Sequence, residues 1–148
     1  MSLVARRATA ADAPALLQMS RDFHVEDGAP LDAAAEATIA HVAAGEPLAP
    51  AYMLEYGPDL AGFFILTLGY SVENGGMDGF IDDLYLLPAW RGQGLGRAAV
   101  TLAMQAARAA GIRALLLEVE ADNSRAYELY RKMGFTDTRR RLLRQMMD

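Results

Sequence analysis

The chain has 148 residues, 53% of them hydrophobic and 22% charged, with a formal net charge of −5. That length fits one domain with a full core, and the acidic balance argues against a general nucleic-acid binder. With no cysteine and two histidines, disulfides, thiolate metal sites and a cysteine nucleophile are excluded and no metal site is read; with neither a signal-peptide pattern nor a run of ~18 apolar residues, no membrane partner and a cytoplasmic location are expected.

In chain order, LVARRAT (3–9) reads as a first strand, and Thr9 with Asp12 three residues on marks a helix start. Ala13, Leu16, Leu17, Ser20 and Phe23 or His24 follow at helical spacing until EDGAP breaks the chain. A second helix begins near Asp32, with Ala35, Ile39 and Val42 on one face. AYMLEY (51–56) and LAGFFILTLGY (60–70) flank the turn GPD and read as a hairpin. ENGGMDG (73–79) reads as a second turn and FIDDLYLL (80–87) as a third strand-like run, stopped by Pro88.

From Leu95 the apolar residues Ala98, Ala99, Leu102, Ala103, Ala106 and Ala110 describe an amphipathic helix closed by Gly111. IRALLLEVE (112–120) is a continuous apolar run, expected as a strand buried on both faces. DNS then caps a last helix carrying Ala126, Leu129, Tyr130 and Met133, ended by Gly134. FTD (135–137) and RRRLLRQMM (139–147) read as two final short strands. The order is β-α-α-β-β-β-α-β-α-β-β, an α/β domain over 1–148 with a mixed, mostly antiparallel central sheet, about four flanking helices and one βαβ crossover.

Between the third run and its helix lies RGQGLG, Arg91 to Gly96. The dinucleotide fingerprint G-x-G-x-x-G fails here, because its third place is Arg97, and no Walker A loop is present. What remains is a glycine-rich strand-to-helix turn. A helix N-terminus offers unpaired N–H groups and a partial positive charge, and glycines let an anion approach the backbone. The physics points to a phosphate or pyrophosphate.

RGQGLG together with NSRAYELYRKMGF (123–135) resembles the GNAT superfamily of N-acetyltransferases. That family carries [RQ]-x-x-G-x-[GA] after a strand and N-x-x-A-x-x-L-Y-x-x-x-G-F downstream, and both are intact here. The resemblance implies the GNAT fold, acetyl-CoA as donor and an amine acceptor. It further implies that Arg91, Gly92, Gln93, Gly94, Leu95, Gly96 and Arg97 line the pyrophosphate of coenzyme A, mostly through backbone N–H groups. Leu84, Tyr85 and Leu86 would pair with the pantetheine arm, where the strand splays from the next one, and the Leu86 N–H would polarise the acetyl carbonyl. Asn123 would reach the pantetheine, and Tyr130 would also protonate the departing thiolate.

An attacking amine must be neutral, which calls for a base. Asp82 and Asp83 sit before the cofactor strand and are expected on opposite faces. FIDDLYLLPAWRGQGLG is similar to the corresponding stretch of spermidine/spermine acetyltransferases, which implies Asp82 as a base acting through water and both acids as holders of a cationic substrate. Phe23, His24 and Glu26, between the first two helices, and Tyr70, at the end of the second hairpin strand, are the further acceptor candidates. The partner is then a small-molecule or peptide amine, with a homodimer as the family's frequent assembly. A non-catalytic acyl-CoA-binding domain of the same fold is the alternative; RRRLLRQ alone does not make a nucleic-acid module, since no aromatic residues accompany its arginines.

Overall fold

Five strands make one sheet in the order β1-β2-β3-β4-β5. They are β1 (Leu3–Arg7), β2 (Ala51–Tyr56), β3 (Asp59–Ser71), β4 (Gly76–Leu86) and β5 (Ala114–Leu116). The computed structural model describes residues 1–148, and the chain divides into two compact units, Met1–Leu117 and Glu118–Asp148. The sheet lies in the first unit with helices α1 (Ala13–Glu26), α2 (Ala33–Gly45) and α3 (Leu95–Ala109); the second unit holds α4 (Ser124–Lys132). No helix is long and apolar enough to cross a membrane.

The first four strands pair antiparallel, and β5 runs parallel to β4. Alternation along the strands sorts the core into two layers. Phe63 and Ile65 of β3, Met53 of β2 and Tyr85 of β4 form one cluster with Leu16 and Met19 of α1 and Ile39 and Ala43 of α2. Phe64 and Leu66, between and beside them, are fully buried but belong to the other face. There α3, which packs on β1, β3 and β4, buries Ala99, Val100, Ala103 and Ala107.

The helix starts follow the sequence signals. The Asp12 carboxylate accepts the Thr9 N–H at 2.7 Å, and Asp32 caps α2 by accepting the Ala35 N–H at 2.8 Å. The expected α/β class, mostly antiparallel sheet and four helices are present. Three expectations need correction. β4 begins at Gly76, inside the stretch read as a turn, because its glycines lie in the ladder: a Cβ on Gly79 would stand 2.4 Å from the Thr67 carbonyl oxygen of β3. β5 is three half-buried residues, not a long strand buried on both faces. FTD and RRRLLRQMM form no strands; Leu142, Leu143, Met146 and Met147 are exposed, and RRRLLRQMM has none of the β-branched or aromatic residues that favour a strand.

One buried polar atom lacks a partner. The Ser20 hydroxyl of α1 is fully buried and makes no hydrogen bond. Replacing an unpaired buried hydroxyl with hydrogen removes its desolvation cost, so Ser20→Ala is expected to raise stability by about 1 kcal/mol in chemical denaturation. A destabilised variant would show that the hydroxyl has a favourable role.

Candidate functional site

The site begins where β4 loses one neighbour. β5 pairs only with Asp78, Gly79 and Phe80, while β4 continues to Leu86. From Ile81 onward that edge of β4 is open. On the other edge, the Leu87 N–H donates to the Ala61 oxygen at 2.8 Å. Successive residues of an antiparallel strand point their backbone groups to opposite sides. Leu86 and Leu84 therefore turn their N–H and C=O toward the open edge, and Tyr85 turns its own toward Phe63 of β3. This corrects the expectation for Tyr85: its backbone faces the ladder and its side chain is 4% exposed, inside the core. Gly62 fixes the local approach, because a Cβ there would lie 2.0 Å from the Tyr85 oxygen.

After Leu86 the chain passes through a short 3-10 turn, Pro88–Trp90, into the glycine loop. Gly92 and Gly94 have φ of 75° and 79°, a conformation that favours glycine. Gly94 is the N-cap of α3, and no side chain caps that helix. Gly96 differs. It lies in the first helical turn, is not among the residues of positive φ, and a Cβ on it would meet nothing within 4 Å. Neither conformation nor packing calls for glycine there. The amides of Leu95, Gly96 and Arg97 belong to the uncapped first turn of a 15-residue helix, the geometry of an anion site. Gln93 donates from its amide nitrogen to the Ala89 oxygen at 2.9 Å.

Arg91 is engaged elsewhere. Its N–H donates to the Pro88 oxygen at 3.2 Å and its Nε to the Leu86 oxygen at 2.8 Å. Its terminal nitrogens reach both oxygens of Glu26, at 2.9 and 3.0 Å. The Tyr85 hydroxyl donates to the same carboxylate at 3.1 Å, and the guanidinium lies over the Tyr85 ring, 5.1 Å from its centroid. Arg91 first, then Tyr85, hold the Glu26 carboxyl below its ordinary range against the opposing effect of burial. Glu26, an acceptor candidate from sequence, is thus tied to the loop.

The acids of β4 form the third part. β3 and β4 change register between Ile65, opposite Asp83, and Leu66, opposite Ile81. Asp82 is the extra residue of a β-bulge, and a bulge re-aims side chains. The expected simple alternation of Asp82 and Asp83 is interrupted there. The Asp83 carboxylate lies 3.3 Å from Nε2 of His24 on α1. Burial, then the charge of Asp82, push the Asp83 carboxyl up to about 6, with His24 acting in the opposite sense. Asp82 is exposed overall, yet enough protein surrounds its carboxyl that desolvation raises it, and His24 again opposes.

His24 is held from behind by Phe23, whose ring meets it edge-on at 4.9 Å and reaches Tyr85 at 5.8 Å. Gly28, with φ of 74°, ends α1 in a capped turn in which the Ala29 N–H donates to the His24 oxygen at 2.9 Å. Tyr70 stands apart. It is 78% exposed and sits five positions along β3 from Ile65, roughly 17 Å away at strand rise.

In the second unit, Asn123 uses its side-chain oxygen to cap α4, accepting the Ala126 N–H at 3.2 Å. Tyr130 is half-buried, and burial raises its hydroxyl above the ordinary tyrosine range. The helix end explains the residues around it. Gly134, φ 99°, donates its N–H to the Arg131 oxygen at 3.1 Å, and Phe135 donates to the Tyr130 oxygen at 3.0 Å. The two rings meet edge-on at 5.9 Å. This is a Schellman cap with its hydrophobic contact, so Tyr-x-x-x-Gly-Phe is a device that sets Tyr130 at a helix end.

Known proteins bear on this arrangement. The model of the acetyltransferase (GNAT) family matches residues 14–135. An aminoglycoside N(6′)-acetyltransferase type 1 of Stenotrophomonas maltophilia is 29% identical over 146 residues, covering 91% of this chain and 87% of that one. A mycothiol acetyltransferase of Corynebacterium glutamicum is 49% identical over 51 residues, 34% of this chain and 18% of that protein. This chain spans less than half the length of several curated relatives it matches. Among solved structures, an integron cassette protein from the mobile metagenome of Cole Harbour Salt Marsh is 34% identical with a TM-score of 0.80, covering 97% of this chain and 90% of that one.

The buried acid makes a pH prediction. The Asp83 carboxyl titrates near its ordinary 3.8 when unfolded and at about 6 in the fold. The folded state therefore binds more protons between those values, and stability falls as pH rises through that window. Asp83→Asn is expected to flatten the fall and to be more stable than the parent protein at neutral pH. Parallel pH slopes for the two proteins in denaturant melts would remove Asp83 as the cause.

Proposed function

Because the chain belongs to the acetyltransferase (GNAT) family, we propose that it is an N-acetyltransferase that moves an acetyl group from acetyl-CoA to the primary amine of a small cationic molecule by direct attack in a ternary complex. The observation that carries the donor assignment is Gly96, a glycine with neither a conformational nor a packing reason, in the first turn of an uncapped helix. The space above it is where a pyrophosphate meets the amides of Gly92 to Arg97. We take residues 1–148 as one catalytic domain, since the family model runs through both units.

When bound, acetyl-CoA supplies the acetyl group as a thioester. Leu84 and Leu86 offer backbone groups along the open edge of β4 to the pantetheine arm. The Leu86 N–H donates to the acetyl oxygen, where negative charge develops. A lysine-type amine has a pKa near ~10.4, so about one molecule in a few thousand is neutral at pH 7. Asp82 takes the amine's proton through a water, and its exposure leaves room for one. Tyr130 holds a proton and gives it to the departing sulfur; its raised pKa keeps that proton in place at neutral pH. Asn123, which caps α4, is the residue the family resemblance assigns to the pantetheine. Phe23, His24, Asp82 and Asp83 flank the acceptor, and their net negative character favours a cation. The aminoglycoside enzyme named above is a relative whose acceptor is of that kind.

Coenzyme A is expected to raise the thermal stability of the parent protein, by about 2.7 kcal/mol at a hundredfold excess over Kd. Gly96→Val should fold, because a Cβ at this position meets nothing within 4 Å, and should lose this stabilisation. Undiminished coenzyme A binding by a folded Gly96→Val protein would sink the loop assignment.

The two proton transfers separate by pH. Tyr130→Phe should keep coenzyme A affinity and lower turnover by about a hundredfold, the low end for a general acid, at every pH. Asp82→Asn should lower turnover near neutrality and recover as rising pH deprotonates the amine. Full activity of Asp82→Asn across the neutral range, measured as free thiol release with an amine substrate, would assign it a structural part only.

A further inference from the structure

Arg91 occupies the first place of the glycine motif, yet its backbone N–H and its guanidinium are engaged by other parts of the protein. The N–H serves the 3-10 turn. Nε serves the Leu86 carbonyl, and the two terminal nitrogens serve Glu26 at the end of α1. The fork geometry matters: a bidentate carboxylate pair plus a third in-plane donor, Nε–H, fixes the guanidinium in one orientation. Tyr85 closes the arrangement from below, with its hydroxyl on Glu26 and its ring under the guanidinium.

Four elements thus meet on one cation: the end of α1, the end of β4, the 3-10 turn and the start of the loop. The ion pair is not built for stability. The Arg91 and Glu26 side chains are 41% and 46% exposed, and pairs at that exposure contribute little. Its geometric effect is specific. Leu86 turns both backbone groups to the open edge; Arg91 takes the C=O and leaves the N–H. The same clamp sets the end of the helix that carries His24, two residues before Glu26.

We infer that Arg91 is a positioning residue and not a phosphate ligand: its guanidinium clamps α1 to the last residue of β4, holding the acceptor-side helix and the Leu86 N–H in one fixed relation. This rests on acetyl-CoA as donor, as proposed above. Glu26 is then the other half of the clamp and does not bind the acceptor amine.

The test compares Arg91→Gln, Arg91→Lys, Glu26→Gln and the double variant Glu26→Gln/Arg91→Gln, with Gly96→Val as the loop control. Coenzyme A affinity is read by calorimetry. Turnover of acetyl-CoA is read with whichever of spermidine, kanamycin and lysine amide the parent protein acetylates fastest. All four clamp variants should bind coenzyme A within about threefold of the parent, since no phosphate contact is lost. Their kcat should fall by about tenfold or more with little change in the KM for acetyl-CoA, because misplacement by a fraction of an ångström is costly to the chemical step. Arg91→Lys keeps the charge but not the fork, so it should behave as Arg91→Gln does. The double variant should be no worse than either single one, as for partners in one interaction.

A tenfold or greater loss of coenzyme A affinity in Arg91→Gln, spared in Arg91→Lys and Glu26→Gln, would overturn the clamp in favour of a phosphate ligand. So would additive effects in the double variant. Unaltered coenzyme A binding by Gly96→Val instead counts against the loop assignment. In that event the double-variant comparison of kcat still decides whether Glu26 and Arg91 act as a unit.

Discussion

A strand with hydrogen-bonding groups on both edges and a neighbour on only one of them governs this molecule. β4 has β3 along its full length and β5 for three residues only. Beyond Phe80, alternate residues offer donors and acceptors to whatever lies alongside, and backbone groups left unmatched in a protected place are costly. Everything else in the first unit supports that edge. Gly62 lets β3 come close beneath it, the 3-10 turn and glycine loop end it, and α3 starts just past it with its own amides unclaimed. A ligand with an extended amide-bearing arm and an anionic end matches both sets of orphaned groups.

The charges beside the edge are ordered by the same geometry. A bulge places Asp82 outside the ladder while Asp83 remains within it. One carboxyl is therefore largely desolvated and set against His24, and the other retains access to water. Two adjacent residues of the same type acquire different environments, which is how a pair of acids takes on separate tasks. Asp27 adds a smaller repulsion to Asp83, while Glu26 is paired with Arg91.

Much of this was legible in the residues. Caps and breakers located four helices, and GPD placed the first hairpin. RGQGLG could be read as a glycine-rich strand-to-helix turn before any likeness to a family, and it leads into the N-terminus of α3. What could not be read were long-range facts. The bulge depends on the register of β3 against β4, which no local pattern in FIDD encodes. The side-chain partners of Arg91 come from Glu26, distant in sequence, and the only signal for them was an arginine where glutamine also serves. The turn reading of ENGGMDG held through Gly75 and failed from Gly76 on, because glycine marks a close backbone approach as readily as a reversal. IRALLLEVE read as a long strand because apolar content does not say how many of its residues find a ladder partner. RRRLLRQMM has apolar residues but no β-branched or aromatic ones, and pairs with no strand.

The helix terminations have a consequence for how this chain can vary. His24 and Tyr130 each stand at the same place relative to a glycine-terminated end: the N–H five residues later, on Ala29 or Phe135, closes onto their own carbonyl oxygen. Each glycine thus acts as the zero mark of a ruler. Adding or deleting one residue between the side chain and its glycine would turn that side chain by about 100° around the helix axis, while substitutions at the intervening positions other than Glu26 would leave it where it is. Length in these two short intervals is therefore the guarded quantity, and apart from Glu26, which Arg91 and Tyr85 engage, residue identity within them is comparatively free.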